Sequence, residues 1–264
     1  RLDDASNRYI EFVKNSFPKD KTLTDLKIVI DCANGAAYKI APKILWELGA
    51  EVIEVGTKPD GFNINKNCGS THPQALSEAV IANNAHIGIA LDGDADRLLI
   101  VDEKGQAIDG DKLIALIAEK LHAEGNLKHD TVVITQMSNL ALENHLNYIG
   151  VSTIRSKVGD RYVLAEMRKG GYNFGGEQSG HIVISDYSTT GDGLIAALQV
   201  LSILCDKNKP ASELLNLFES FPQILENVKF DRNQKNPLEE DSIQEFISNK
   251  QKELGENGRI LVRK

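Results

Sequence analysis

Between Leu26 and Asp206, short runs of branched apolar residues alternate with stretches whose apolar residues recur every three or four positions. That alternation leaves few folds open. A parallel strand pair needs a long crossover, and a helix is the usual crossover, so strand–helix alternation predicts parallel-leaning sheets covered by helices. LKIVID (26–31) reads as a buried strand and CANGAA as the turn after it. Ala37, Ile40, Ala41, Ile44, Leu45 and Leu48 then recur at helical spacing, with Gly49 as the C-terminal cap. EVIEV (51–55) is the next strand, HPQALSEAVIANN (72–84) a helix and AHIGIALD (85–92) a third strand. The pattern renews with a helix at 109–125, a strand at 131–135, a helix at 138–150, a strand at 152–156 and a helix at 159–171. YNFGGE and HIVIS follow as strands, and a strongly apolar helix at 189–206 closes the set. The expected fold class is α/β: two tandem α/β domains, 8–105 and 106–224, with mixed, mostly parallel sheets covered by helices. Residues 225–264 are charged and poor in core residues, with a strand at 227–231, a helix at 239–253 and a strand at 259–263. They are too few to bury a core alone and read as a partial C-terminal α+β domain.

Composition narrows the functional classes. Hydrophobic residues at 41% and charged residues at 26% suit an ordinary globular chain of 264 residues. A net charge of −8 argues against nucleic acid or an anionic membrane as a partner, and leaves small anionic substrates open. No apolar run approaches bilayer length, and the N-terminus has no secretory apolar segment. Three widely spaced cysteines fit a reducing cytoplasm, without a disulfide framework or a zinc knuckle. The chain starts at Arg1, without Met, in a polar helix-compatible stretch, as expected of a start inside a longer protein.

LDGDADRLLIVDE (91–103) places Asp92, Asp94 and Asp96 at alternate positions between two apolar runs. Three carboxylates this close repel one another. A polar turn between strands would account for the Asp and Gly content but would leave that repulsion unrelieved. A calcium loop of the EF-hand type would use Asp92, Asp94, Asp96 and Glu103, but position six is Arg97 where the sharp turn needs Gly, and the flanks read as strands. A divalent-metal site at the carboxyl edge of a parallel strand fits best. All-oxygen donors without a nearby His or Cys select Mg²⁺, and three acids, one Mg²⁺ and Arg97 balance to zero formal charge. Such a site can accept a phosphate oxygen and steady a moving phosphoryl group.

GGEQSGH (175–181) lies between two strand-like runs, and Glu177, Gln178, Ser179 and His181 could satisfy sugar hydroxyls. In isolation, a ligand-free polar hairpin explains it equally well. RSKVGDRY (155–162) follows a strand and opens a helix; Arg155, Lys157 and Arg161 put positive charge beside a helix N-terminus, which suits phosphate. A solvated face accounts for Arg161 more readily than for Lys157. DGFNINKNCGSTHP (60–73) is a long loop in which Ser70 or Thr71 could cap the next helix.

DGDADR followed about eighty residues later by GGEQSGH resembles the α-D-phosphohexomutase family. There, DGDxDR is the Mg²⁺ loop and GE-x-SGH the sugar-recognition loop. PDGFNINKNCGSTHP, SKVGDRYV and the Gln of GGEQSGH are most similar to the bacterial phosphoglucosamine mutase branch. The resemblance implies an intramolecular phosphotransferase, cytoplasmic and on the route to peptidoglycan precursors. It would interconvert glucosamine 6-phosphate and glucosamine 1-phosphate through a phosphoserine and a sugar 1,6-bisphosphate. It implies that Asp92, Asp94 and Asp96 bind Mg²⁺, that Arg97 lies beside the phosphoserine, and that Glu177 and Ser179 read sugar hydroxyls. Lys157 and His181 are its candidates for positioning or proton transfer. The family's serine motif, like T-A-S-H-N-P, and its phosphate-gripping motif, like S-G-T-E-P, have no counterpart here. The resemblance therefore covers the second and third of four domains and the start of the fourth. The missing domains would be the chain's partners, and the chain alone should be inactive. A phosphomannomutase or phosphoglucomutase, or a non-catalytic sugar-phosphate or metal-binding module, are the competing readings.

Overall fold

The computed structural model describes residues 4–229, 236–255 and 258–262. Helix α1 (Ala5–Lys14) precedes strand β1 (Lys27–Asp31), then α2 (Ile40–Glu47), β2 (Glu51–Val55), α3 (Gln74–Asn83) and β3 (Ile87–Leu91). Strands β4 (Leu98–Asp102) and β5 (Ala107–Ile108) complete the first sheet. The second half runs α4 (Gly110–Ala123), β6 (Thr131–Thr135), α5 (Leu140–Tyr148), β7 (Ser152–Ser156), α6 (Asp160–Gly170), β8 (Phe174–Gly176) and β9 (Ile182–Ile184). Helices α7 (Gly193–Lys207), α8 (Ala211–Leu214) and α9 (Asp241–Leu254) follow. Among the described residues, no helix is long and apolar enough to cross a membrane.

The first sheet has the order β2-β1-β3-β4-β5, the second β7-β6-β8-β9. In the first, β1 pairs in parallel with β2 and β3, while β4 returns antiparallel from β3. In the second, β6 pairs in parallel with β7 and β8, while β9 returns antiparallel from β8. The α/β class with mixed sheets is what the alternation predicts. The two sheets also share one strand plan, although their sequences carry no visible repeat. In each, the chain direction switches beside the first strand of the unit, which opens a crevice at the strands' carboxyl ends.

Local chemistry sets the helix starts. Asp109 accepts from the Asp111 N–H at 2.8 Å, Asn139 from that of Ala141 at 3.0 Å, and Asp192 from those of Leu194 and Ile195 at 3.0 and 3.1 Å. Gly49, with φ of 104°, ends α2 in the backbone region that side chains disfavour. Helix α7 is buried from Gly193 to Leu204. Each of its fully buried Leu or Ile side chains contributes roughly 1.5–3 kcal/mol. It packs against β3 and β4 of the first sheet and against β9 and α4 of the second. One apolar cluster accordingly runs through both halves, from Ile28 and Ile89 to Leu198 and Phe174.

The structure departs from the sequence reading at several edges. The helix expected from Ala37 begins at Ile40, after a turn, though its predicted apolar face is the buried one. Neither Ser70 nor Thr71 caps α3; Pro73 occupies the cap position, and Thr71 Oγ1 lies 3.1 Å from His72 Nδ1. Strand β5 and helix α8 are too short for periodicity to reveal. No strand forms at 227–229 or 258–262; the rest of the two strands expected there, at 230–231 and 263, lies outside the described residues. Helix α9 forms but buries none of its residues, so it lacks the packing face an independent core requires.

Candidate active site

Strand β3 is buried at all five positions and ends in the aspartate loop. The chain must reverse within six residues to enter β4, and Ala95 adopts a positive φ of 64° to do so. A left-handed non-glycine residue costs about 1–2 kcal/mol. Asp92 is 8% exposed, and its Oδ1 accepts from the Arg97 backbone N–H at 3.2 Å. One oxygen each of Asp92, Asp94 and Asp96 lies within 4.8 Å of the others. The Arg97 Nε is 3.9 Å from both Asp92 and Asp96. Burial pushes the Asp92 carboxyl above its ordinary range, and the neighbouring charges of Asp96 and Asp94 push the same way, against the opposing Arg97 N–H. A converging set of hard oxygen donors whose repulsion Arg97 only partly relieves is suited to a divalent cation of the Mg²⁺ kind.

The second motif is the β8–β9 hairpin. The Glu177 N–H donates to the His181 carbonyl, and the Gly180 N–H to that of Glu177, both at 2.9 Å. Gly180 has φ of 87°, and a Cβ there would sit 2.0 Å from the Leu98 carbonyl oxygen. That close approach fastens the hairpin to β4: the Leu98 N–H donates to the Gly180 carbonyl at 3.0 Å, and Arg97 and His181 form an antiparallel bridge. His181 is 2% exposed, its Nε2 is 3.4 Å from Asp96 Oδ2, and neither ring nitrogen has a hydrogen-bond partner. An imidazole with two unpaired nitrogens is costly to bury, and it sits against the carboxylate cluster.

Glu177 is nearly buried, and its Oε1 accepts from the Gly159 N–H at 2.9 Å. This draws the start of α6, and with it exposed Lys157, toward the hairpin. Lys157 Nζ lies 5.8 Å from the centre of the Tyr162 ring. Ser179 is exposed at the hairpin tip and shares a groove of about 440 Å³ with Arg97, Ser70, Thr71 and Gln178. The structure thus brings Asp92, Asp94, Asp96, Arg97 and His181 into one cluster, with Glu177 and Ser179 on the adjoining turn. Lys157 joins them only through Gly159. The other two basic residues of RSKVGDRY stand apart. Arg155 is held by Glu143 and by the carbonyls of Thr135 and Ser138, and Arg161 lies over Tyr162. Ser70 and Thr71 reach the groove without any spacing signal to announce them. A larger cavity of about 810 Å³, lined by Lys19, Lys120 and Lys128 among others, lies at the opposite end of α4, away from this cluster.

Known protein families match both halves of the chain. Residues 7–105 match the model of phosphoglucomutase/phosphomannomutase alpha/beta/alpha domain II, and residues 109–221 that of domain III. Over its whole length the chain is 56% identical to a phosphoglucosamine mutase of Parvibaculum lavamentivorans, and it is 57% identical over 263 residues to one of Caulobacter vibrioides. The chain spans 58% of the length of each of these curated relatives. A crystal structure of a phosphoglucomutase/phosphomannomutase family protein from Burkholderia thailandensis superposes with a TM-score of 0.72 at 29% identity, covering 81% of this chain and 46% of that one. An Aspergillus fumigatus N-acetylphosphoglucosamine mutase, solved with GlcNAc-6P and magnesium, shares the fold at a TM-score of 0.71 and 18% identity, over 95% of this chain and 58% of that one. Through its two matched domains, this chain belongs to the phosphoglucomutase/phosphomannomutase family.

Proposed function

We propose that this chain is the metal-binding and sugar-reading part of a phosphoglucosamine mutase, which interconverts glucosamine 6-phosphate and glucosamine 1-phosphate. The observation that carries the reading is the convergence of three carboxylates beside a buried, unpaired imidazole, in a chain 56–57% identical to phosphoglucosamine mutases. Residues 8–105 form its metal-binding domain and 106–224 its sugar-recognition domain, with 225–264 opening a phosphate-binding domain. Asp92, Asp94 and Asp96 hold Mg²⁺. A bound ion would offset the carboxylate repulsion and supply Lewis-acid stabilisation of phosphoryl charge.

Phosphoryl transfer depends mainly on positioning and charge stabilisation. A phosphoserine from a longer protein gives its phosphoryl group to a sugar hydroxyl. The serine P–O bond breaks as the sugar P–O bond forms, and the hydroxyl proton leaves to a base. The resulting 1,6-bisphosphate reorients and returns its other phosphate to the serine. Arg97 presents its guanidinium to the phosphoryl group. Glu177 has Oε1 tied to Gly159, which leaves Oε2 to accept from a sugar hydroxyl, and Ser179 reads a second hydroxyl. His181 and Lys157 position the substrate and handle the proton. The partners are the phosphosugar, its bisphosphate and the remaining domains, in a reducing cytoplasm that suits the free cysteines.

The test is phosphorus NMR on the full reading frame with Mg²⁺, a trace of sugar 1,6-bisphosphate, and glucosamine, glucose or mannose 6-phosphate in turn. The fastest 1-phosphate signal is expected from glucosamine. A preference for mannose or glucose moves the substrate within the family. With a serine motif encoded upstream, no conversion of any sugar would sink the mutase reading in favour of a binding module. The chain alone is expected to give no turnover.

A further inference from the structure

The segment Thr190–Gly193 belongs to neither motif yet touches both. The Gly193 N–H donates to the Ala95 carbonyl at 2.9 Å, at the one residue of the aspartate loop with positive φ. A Cβ on Gly193 would lie 2.8 Å from the Arg97 carbonyl oxygen and 3.0 Å from that of Ala95, so α7 starts directly beneath the loop. A Cβ on Gly191 would lie 2.3 Å from His181 Nε2, so the backbone there forms one wall of the imidazole's pocket. Between these glycines, the Asp192 carboxylate works in two directions. Its Oδ1 accepts from the Leu194 and Ile195 N–H groups and fixes the first turn of α7. Its Oδ2 accepts from the Tyr9 hydroxyl at 2.7 Å, across 183 residues of sequence. Burial and the Asp192 charge raise the Tyr9 hydroxyl far above the usual tyrosine range, so it remains a donor at any working pH. An ordinary helix cap needs one oxygen; the second here ties the cap to α1 and sets its orientation.

We infer that Asp192, anchored by Tyr9, is a positioning residue that holds the aspartate loop and His181 in register through Gly193 and Gly191. Its bearing on the metal rests on the reading of Asp92, Asp94 and Asp96 as ligands. Its bearing on loop order does not. Outer partners that orient ligands govern metal affinity roughly tenfold to a hundredfold.

Two readouts on the purified chain separate these claims: hydrogen exchange of residues 91–98 without metal, and Mn²⁺ binding followed by electron paramagnetic resonance. The variants are Asp192→Ala, Asp192→Asn and Tyr9→Phe. Asp192→Ala is expected to speed exchange of 91–98 and to weaken Mn²⁺ binding roughly tenfold or more. Asp192→Asn keeps a cap acceptor and should restore most of both. Tyr9→Phe should shift both readouts the same way by less. A lower melting temperature with exchange and Mn²⁺ affinity unchanged would overturn the inference, because a mere cap gives that result. If wild type binds no Mn²⁺ while Asp192→Ala still speeds exchange, the metal reading fails and the positioning role stands. If Asp192→Ala does not fold, Tyr9→Phe decides on the same readouts, and wild-type values for both would overturn the inference.

Discussion

Asp111, in the first turn of α4, is 1% exposed. Its Oδ2 accepts from the Asn139 N–H at 2.6 Å, while its Oδ1 is unpaired. Burial pushes its carboxyl from the ordinary 3.8 up to about 7; the Asn139 N–H opposes this and the Asp109 charge adds to it. Between those values the folded chain holds a proton that the unfolded chain has released, so this group's contribution is complete below pH 3.8 and fades as pH rises through about 7. Over that span it amounts to something on the order of 4 kcal/mol. Asp111→Asn keeps an acceptor for Asn139 and is expected to flatten the decline in stability from pH 4 to pH 7, which urea unfolding at several pH values would measure. An unchanged slope would mean that Asp111 is ionised at no cost. At the carboxylate cluster, Asp94 is exposed and Asp92 buried. Asp94→Asn should therefore lower Mn²⁺ affinity with little change in melting temperature, as differential scanning calorimetry would record. At this scale the sequence was most readable where spacing governs geometry: the alternate acids Asp92, Asp94 and Asp96 do bring their carboxylates together. Asp192 was not singled out by the sequence, which starts the helix at 189 rather than at Gly193, and its bond to Tyr9 depends on where α1 happens to lie.

The elements owe their positions to a few close backbone approaches. Gly180 meets the Leu98 carbonyl, and a Cβ on Gly110 would lie 2.4 Å from the Gln178 carbonyl oxygen. Gly180→Ala places a methyl group against backbone at a positive φ, and should destabilise the chain by roughly 2–4 kcal/mol. Loss of the hairpin's protection in hydrogen exchange, ahead of global unfolding, would locate the damage. Strands and helices with strong periodicity were legible, since a buried face imposes its spacing on sequence. The bridge between Arg97 and His181 was not. It joins strand ends from different sheets, and no local pattern encodes which strands meet.

At the scale of the molecule, one apolar cluster serves both sheets, and α7 supplies much of it. Thermal unfolding followed by circular dichroism is therefore expected to show a single transition; two separated transitions would mean that each half is stable alone. Two α/β units could be read from the order of elements, but their merger could not, because an all-round apolar helix says only that it is buried, not between what.

That merger has a consequence for descent. The aspartate loop is encoded in the first half and the segment beneath it in the second. A gene that exchanged either half with a relative would inherit a loop without its support. Changes at Ala95 and at Gly191–Gly193 should thus be accepted as pairs, and recombination near residue 105 should be tolerated only between parents that match at both.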